Sequence, residues 1–234
     1  MKVLITSDWH GDHVTLGVMR FPEIEAAAIE SVRVAIEQKV DLYAFTGDLT
    51  DPDSGTMVFE AVELAGKVIR LLTLAGIPSV WIPGNHDVIE NGRGRSTLAP
   101  LTCVDFGAKI IEQPARIEVT RHSGASIKVI CLPFTAASHG YDVEHFLRDC
   151  EPSDLVLAHL AVPGVQPGEE TTEIPRGREV VLPAKLAMQK AKVVVNGHYH
   201  RAQVSPDGVL IPGSLARLTF GEADHKPSFL MVEI

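Results

Sequence analysis

The sequence predicts an α/β fold, and three observations carry that prediction. Short apolar runs of strand character alternate with longer segments at helical spacing over the first third of the chain. Strands that alternate with helices in this way form parallel sheets covered by helices. Five of the apolar runs end in clusters of Asp, Asn and His. Val3-Leu4-Ile5 leads to Asp8-Trp9-His10, Leu42 to Phe45 leads to Gly47-Asp48, and Val80-Trp81-Ile82 leads to Gly84-Asn85-His86-Asp87. Leu155 to Ala158 leads to His159, and Val193-Val194-Val195 leads to Asn196-Gly197-His198-Tyr199-His200. Ligands of open α/β sheets bind beyond the carboxyl ends of the strands, which is where these clusters fall.

Taken in order, Glu23 to Gln38 reads as a helix, with Ile24, Ala28, Val32 and Ala35 on one face. A second helix runs from about Met57 to Ala75, with Asp53 or Ser54 as its cap and Gly76 and Pro78 as its stop. With the flanking runs this is β-α-β-α-β through Ile82. Ile110-Ile111, Arg116 to Thr120 and Ser126 to Leu132 read as short strands joined by turns such as Ser123-Gly124, forming a second sheet or an antiparallel extension. Asp142 to Cys150 and Pro183 to Lys190 read as short helices. Gln203-Val204, Val209 to Ile211 and Phe229 to Glu233 are the closing strands, with a turn at Pro206-Asp207-Gly208. No repeat, low-complexity stretch or linker interrupts this pattern, so residues 1–234 are expected to form one domain. Val88 to Pro100 and Ala161 to Pro183 are irregular, follow ligand motifs, and are expected to rim the site.

Composition narrows the functional classes. The 234 residues are 45% hydrophobic, enough for a substantial core. No apolar run is long enough for a signal segment or a membrane span, so a cytoplasmic protein is expected. Cys103, Cys131 and Cys150 are widely spaced, against both a disulfide framework and a cysteine zinc site. The net charge of −9 and the absence of a basic run weigh against an unassisted grip on long nucleic acid.

Carboxylates, an amide and imidazoles are the ligand set for hard-to-borderline divalent cations. Asp8 and His10 can reach one cation, with His200 completing it. Asp48 can turn an oxygen toward each of two cations, and Asn85, His159 and His198 complete the second. Two cations ~3.5–4 Å apart clamp a phosphate and lower the pKa of a bridging water toward ~7, making hydroxide available for in-line attack. Glycines at 47, 84 and 197 permit the sharp turns this needs.

The ordered blocks Asp-x-His, Gly-Asp, Gly-Asn-His-Asp, a lone His and Gly-His-x-His, from Asp8 to His200, resemble the calcineurin-like metallophosphoesterases. The resemblance implies a four-layer α/β-β/α sandwich of two mixed sheets flanked by helices. It also implies phosphoester hydrolysis at two divalent cations, manganese first, with iron or zinc as alternatives. It assigns Asp8, His10, Asp48 and His200 to one metal, and Asp48, Asn85, His159 and His198 to the other. His86 then touches the substrate phosphate or protonates the leaving oxygen, and Asp87 orients its ring. Arg93 and Arg95, in the loop after that block, are expected beside Asn85 and His86 as substrate contacts, with solvated arginines as the alternative. Arg176 and Arg178 are weaker candidates for the same role.

The tail sharpens the resemblance. Ile211-Pro212-Gly213-Ser214 and the later Thr219-Phe220-Gly221-Glu222 are similar to the end of the catalytic core in SbcD-like DNA-repair exonucleases. That implies a DNA phosphodiester substrate and a separate SMC-like coiled-coil ATPase subunit as partner. Two departures stand against it. Thr50-Asp51 replaces the histidine those nucleases carry after Gly-Asp-Leu, and no separate capping domain is expected before Ile234. A small-molecule phosphodiesterase or phosphomonoesterase acting on cyclic nucleotides or nucleotides is the alternative. A non-catalytic scaffold is the second, opposed by the intact Gly-Asn-His-Asp. Asp12 and His13 are expected as surface turn residues, with support of the ligands or substrate contact as their other reading. His122, His139, His145 and His225 are expected at the surface, Trp81 in the core, and Trp9 packed beneath the site.

Overall fold

Alternation along the strands sorts their side chains onto different cores, and that sorting builds the layers. The structure is a computed structural model describing residues 1–51, 58–88, 95–103, 107–120, 124–135, 140–166 and 180–234. In chain order its first half contains β1 (Lys2–Thr6), β2 (Val14–Thr15), β3 (Val18–Met19), α1 (Phe21–Glu37), β4 (Leu42–Thr46), α2 (Val58–Leu74), β5 (Ser79–Ile82) and β6 (Ala108–Ile110). The second half contains β7 (Ala115–Thr120), β8 (Ser126–Leu132), α3 (Val143–Asp149), β9 (Ser153–Ala158), α4 (Ala184–Lys190), β10 (Ala191–Asn196), β11 (Gln203–Val204), β12 (Leu210–Ile211) and β13 (Leu230–Glu233).

The first sheet has the order β13-β1-β4-β5-β6, and the second β11-β12-β10-β9-β8-β7. Successive strand residues point to opposite faces. Leu4, Tyr43, Phe45 and Trp81 therefore face α1 and α2, and pack with Ile24, Ala28, Leu64 and Val68. Their neighbours Val3, Ile5, Leu42, Ala44, Val80 and Ile82 face the second sheet, meeting Val129, Cys131, Leu155, Leu157 and Val195. Ile130, Val156, Ala158 and Val194 point the other way, against Val143, Leu147, Ala184 and Ala187 of α3 and α4. The result is the expected four-layer arrangement, helices on sheet on sheet on helices. Each fully buried large apolar side chain contributes about 1.5–3 kcal/mol of transfer free energy to it.

The structure adjusts several expected elements. The first helix begins at Phe21, where Pro22 in the first turn forfeits no helical hydrogen bond. The expected capping residues Asp53 and Ser54, and Met57, lie outside the described residues. The apolar stretch at 110 pairs in parallel with β5 and so extends the first sheet. Only β7 and β8 of that region join the second sheet, antiparallel to each other. The hairpin β2–β3 was not expected, because strands of two residues are too short to show alternation. Among the described residues no helix is long and apolar enough to cross a membrane.

The orientation of the strands places the site. β1, β4 and β5 run parallel in one sheet, and β8, β9 and β10 run parallel in the other. The turns after β1, β4, β5, β9 and β10 meet at one mouth of the sandwich, where Phe134 N–H donates to the Pro83 carbonyl across the sheets at 3.1 Å.

Candidate active site

The chain leaves these strands under strain. Asp8, His10, Asp48 and His198 have φ of 51°, 45°, 59° and 77°. That left-handed region costs a non-glycine residue roughly 1–2 kcal/mol, and such strain gathers at functional sites. Interlocking turns hold it in place. Asp8 N–H donates to the Gly47 carbonyl at 2.9 Å, and Trp9 and His10 N–H both donate to the Asp48 carbonyl, at 2.8 and 3.0 Å. Gly84 is needed for a different reason: a Cβ there would lie 2.2 Å from Asp48 Oδ1, so only a bare backbone allows the approach. Trp9 is fully buried edge-on against Phe45 and Trp81, beneath the site as expected.

Two groups of ligand atoms result. Asp8, His10 and His200 form one, and Asp48, His159 and His198 the other, with all atoms of each group within 4.8 Å of one another. In the first, His10 Nε2 faces His200 Nε2 at 3.1 Å. His200 Nδ1 donates to Glu222 Oε1 at 2.8 Å, which leaves its Nε2 lone pair aimed at His10. Asp8 Oδ1 accepts from His198 N–H at 3.0 Å, while Asp8 Oδ2 and His10 Nδ1 are buried with no hydrogen-bond partner among the described residues. In the second, His159 Nδ1 donates to the Thr46 carbonyl at 2.6 Å, and its Nε2 meets Asp48 Oδ2 at 3.1 Å. Asn85 Oδ1 lies 3.1 Å from His159 Nε2 and 2.9 Å from His198 Nδ1. Asp48 Oδ2 also lies 3.8 Å from His10 Nε2, so one carboxylate oxygen faces both groups.

The electrostatics follow from crowding charges in a buried space. Burial works against the charge of Asp48, yet His159, His86 and His10 together hold its carboxyl well below the usual range. Burial likewise opposes an imidazolium at His159, but the neighbouring Asp48 outweighs it and raises that group to about 9. Burial, only partly offset by His159 and His200, pushes Asp8 up to about 6. His198 is lowered to about 3, by burial and then by His159. His10 is also lowered, by burial and then by His86 and His200. The Asp48 carboxylate and the His159 imidazolium thus form a buried ion pair.

These residues fit a pair of divalent cations. An unpartnered carboxylate oxygen at Asp8, opposed imidazole nitrogens at His10 and His200, and an Nε2 proton at His159 lodged between two oxygens all mark places for a cation. The donor set of carboxylate, amide oxygen and imidazole suits hard-to-borderline metals. Glu222 was given no role from the sequence. Its place resembles the familiar carboxylate behind a metal-binding histidine, and the only signal for it was the tail motif.

His86 and Asn85 are the partly exposed members of the cluster, the His86 side chain at 27%. The His86 ring stands edge-on to His10 with centroids 4.8 Å apart. Asp87 does not orient that ring. Its buried carboxylate accepts from the N–H groups of Gly84, Leu49 and Thr50 and from the Thr50 and Thr97 hydroxyls, stapling the Gly-Asp-Leu turn to the Gly-Asn-His turn. The carboxylate that faces His86 is Asp51, with Oδ1 3.9 Å from Nδ1. Asp12 is buried rather than on a surface turn, accepting from Asp51 N–H at 2.6 Å. His13 pairs with Asp51 Oδ2 at 2.5 Å. His225 is also buried, against Ser214 and Arg217, whereas His145 is 74% exposed as expected. Arg95 is exposed on the chain after that block. Arg93, Arg176, Arg178, His122 and His139 lie outside the described residues, as do 89–94 and 167–179 of the two expected rim stretches.

Comparison with known proteins agrees with this geometry. Residues 1–202 match the calcineurin-like phosphoesterase family. Solved structures share the fold at low identity. The protein TT1561 of Thermus thermophilus is 16% identical over 91% of this chain and 89% of its own, with a TM-score of 0.51. A dimetal phosphatase from Danio rerio is 10% identical over 99% of this chain and 91% of its own, with a TM-score of 0.57. No curated protein matches the sequence.

Proposed function

The chain belongs to the calcineurin-like phosphoesterase family and is a metal-dependent phosphoesterase, and on that premise we propose that it is a two-metal phosphodiesterase acting on DNA. The observation that carries the reading is Asp48 Oδ2 between two buried ligand groups, with the partly exposed His86 beside them. Asp8, His10, Asp48 and His200 would hold one cation, and Asp48, Asn85, His159 and His198 the other. Bound there, the cations supply charge to a phosphoryl oxygen and acidify a water for in-line attack, manganese being the first candidate and iron or zinc the others.

The residues of the chain do the rest. His86, open to solvent on one side, meets the phosphate or gives a proton to the leaving oxygen. Asp51 Oδ1 faces its Nδ1, so Nε2 is the nitrogen that would meet the substrate. The burial of the ligands keeps water from screening them. The DNA assignment is supported by the segment that resembles the repair exonucleases. Ser214 N–H donates to the His200 carbonyl at 3.0 Å and Glu222 holds the His200 ring, so that segment is part of the site wall.

A second reading, a small-molecule phosphodiesterase or phosphomonoesterase, is favoured by Thr50-Asp51 standing where the nucleases carry a histidine and by the charge of −9. A panel of single-stranded DNA, double-stranded DNA, cyclic nucleotides and monoesters, each with Mn²⁺, separates the two. DNA hydrolysis lost in His86→Ala with metal content retained supports the proposal. Turnover of cyclic nucleotides or monoesters with none on DNA selects the second reading. An SMC-like ATPase partner would show as a DNA activity that rises when such a subunit is added.

A further inference from the structure

We propose that His13 is a positioning residue for His86, acting through Asp51. The inference rests on His86 being the group that meets the leaving oxygen. His13 sits on the turn between β1 and the β2–β3 hairpin, where its N–H donates to the His10 carbonyl at 2.9 Å. Its ring is held at both edges. Nδ1 lies 2.5 Å from Asp51 Oδ2, and Nε2 lies 3.2 Å from the Leu218 carbonyl. Contacts on opposite edges of a planar ring leave it one orientation.

Asp51 is restrained in turn. Its N–H is fixed on Asp12 Oδ1, and its Oδ2 is taken by His13. Its Oδ1 faces His86, at 3.9 Å from a buried Nδ1 that has no hydrogen-bond partner among the described residues. A carboxylate on a freely turning side chain would average over orientations and draw toward water. Clamped by His13, it keeps one oxygen on the His86 side and sets that ring's direction toward the substrate. Catalytic geometry is sensitive to displacements of about 1 Å.

The far end of the clamp is significant too. Leu218, which anchors His13 through its carbonyl, donates its own N–H to Glu222 Oε2 at 2.7 Å, and Glu222 holds His200. One short stretch of chain therefore supports a ligand of the first group on one side and the His86 partner on the other. The plainer role for His13, pinning the hairpin to this stretch, already belongs to Thr15, whose hydroxyl donates to the same Leu218 carbonyl at 2.5 Å.

That shared carbonyl supplies the control. The full-length, Mn²⁺-loaded protein and its His13→Phe, His13→Gln, Thr15→Val and His86→Ala variants are compared on two phosphodiesters. Thymidine 5′-(4-nitrophenyl) phosphate has a leaving group that needs no proton, and thymidylyl-thymidine has one that does. His13→Phe is expected to lower kcat on the dinucleotide by about 10–100-fold, the usual cost of losing a supporting partner, and on the nitrophenyl ester by less than about threefold. Metal content is unchanged. His13→Gln, which keeps one N–H donor of similar reach, recovers part of the loss and carries the test if His13→Phe does not fold. Thr15→Val affects both esters alike. Equal loss on both esters in the His13 variants, or no loss, overturns the proposal. If His86→Ala itself shows no bias between the esters, the reading of His86 fails and the inference falls with it.

Discussion

The two ligand groups draw on the same residue types but stand in different states. The group of Asp48, His159 and His198 is internally paired, its charge resolved by the Asp48–His159 ion pair and its remaining nitrogen turned to Asn85. The group of Asp8, His10 and His200 is not. Among the described residues it keeps an unpartnered carboxylate oxygen, an unpartnered imidazole nitrogen and a pair of opposed ring nitrogens, braced from behind by Glu222. A proton on His159 already joins nitrogen to carboxylate oxygen in the second set, whereas Asp8 Oδ2 in the first has no hydrogen-bond partner among the described residues. The first group therefore gains most from a metal, while the other must release a proton to take one.

The change with the largest effect removes the link between them. Asp48→Asn takes away the oxygen that faces both groups and is expected to cost on the order of a thousandfold in kcat, together with most of the bound metal. Turnover and metal content left intact would break the comparison. Next is Gly84→Ala, which drives a methyl group into Asp48 Oδ1 and so damages the link from the backbone side. A loss of metal affinity larger than its change in melting temperature would locate the damage at the site. Glu222→Gln is milder and selective. Weakening the brace on His200 is expected to lower affinity for one cation by about 10–100-fold and leave the other near its original value. A two-step binding isotherm checks that asymmetry.

The pH dependence is the smallest effect and tests the proton account. His159 is raised from the ordinary 6.5 to about 9, so its pairing stabilises the metal-free fold below the unfolded value and is lost as pH rises through 9. Asp8 is raised to about 6, so ionising it removes stability as pH rises from about 4 through 6. His198 and His10 are lowered, so they remove stability only as pH falls below 6.5 and bring no pH dependence above it. Between pH 6.5 and 9 the metal-free protein should lose melting temperature while the Mn²⁺-loaded protein does not, since the cation occupies the place of the His159 proton. A gap that stays constant or narrows over this range contradicts the assignment of that proton.

The fold and the residues of the two candidate ligand groups were legible because both are written in local patterns. Strand runs such as Val80-Trp81-Ile82 alternate cleanly between two cores, and the ligands follow their ends directly. What stayed hidden depended on contacts between distant turns. Asp87 was taken for the partner of His86 because it is adjacent in sequence, yet the turn at Gly84 folds its carboxylate back onto the peptides of Leu49 and Thr50. The residue that does face His86, Asp51, arrives from another loop, and Thr50-Asp51 was noticed only as a departure from a motif. Asp12 and His225 were expected at the surface because nothing adjacent reveals that a backbone N–H and a serine would enclose them. β6 joined the first sheet because pairing with β5, and not its own composition, decides membership.

The central claim is that the two groups form one centre of two metals joined by Asp48. Its most direct test is the number of Mn²⁺ ions bound per chain, measured by titration calorimetry with elemental analysis of the same sample. Two ions in the intact chain, with both weakened in Asp48→Asn, is the result predicted. A single ion at saturation, or two that are indifferent to Asp48→Asn, would contradict it.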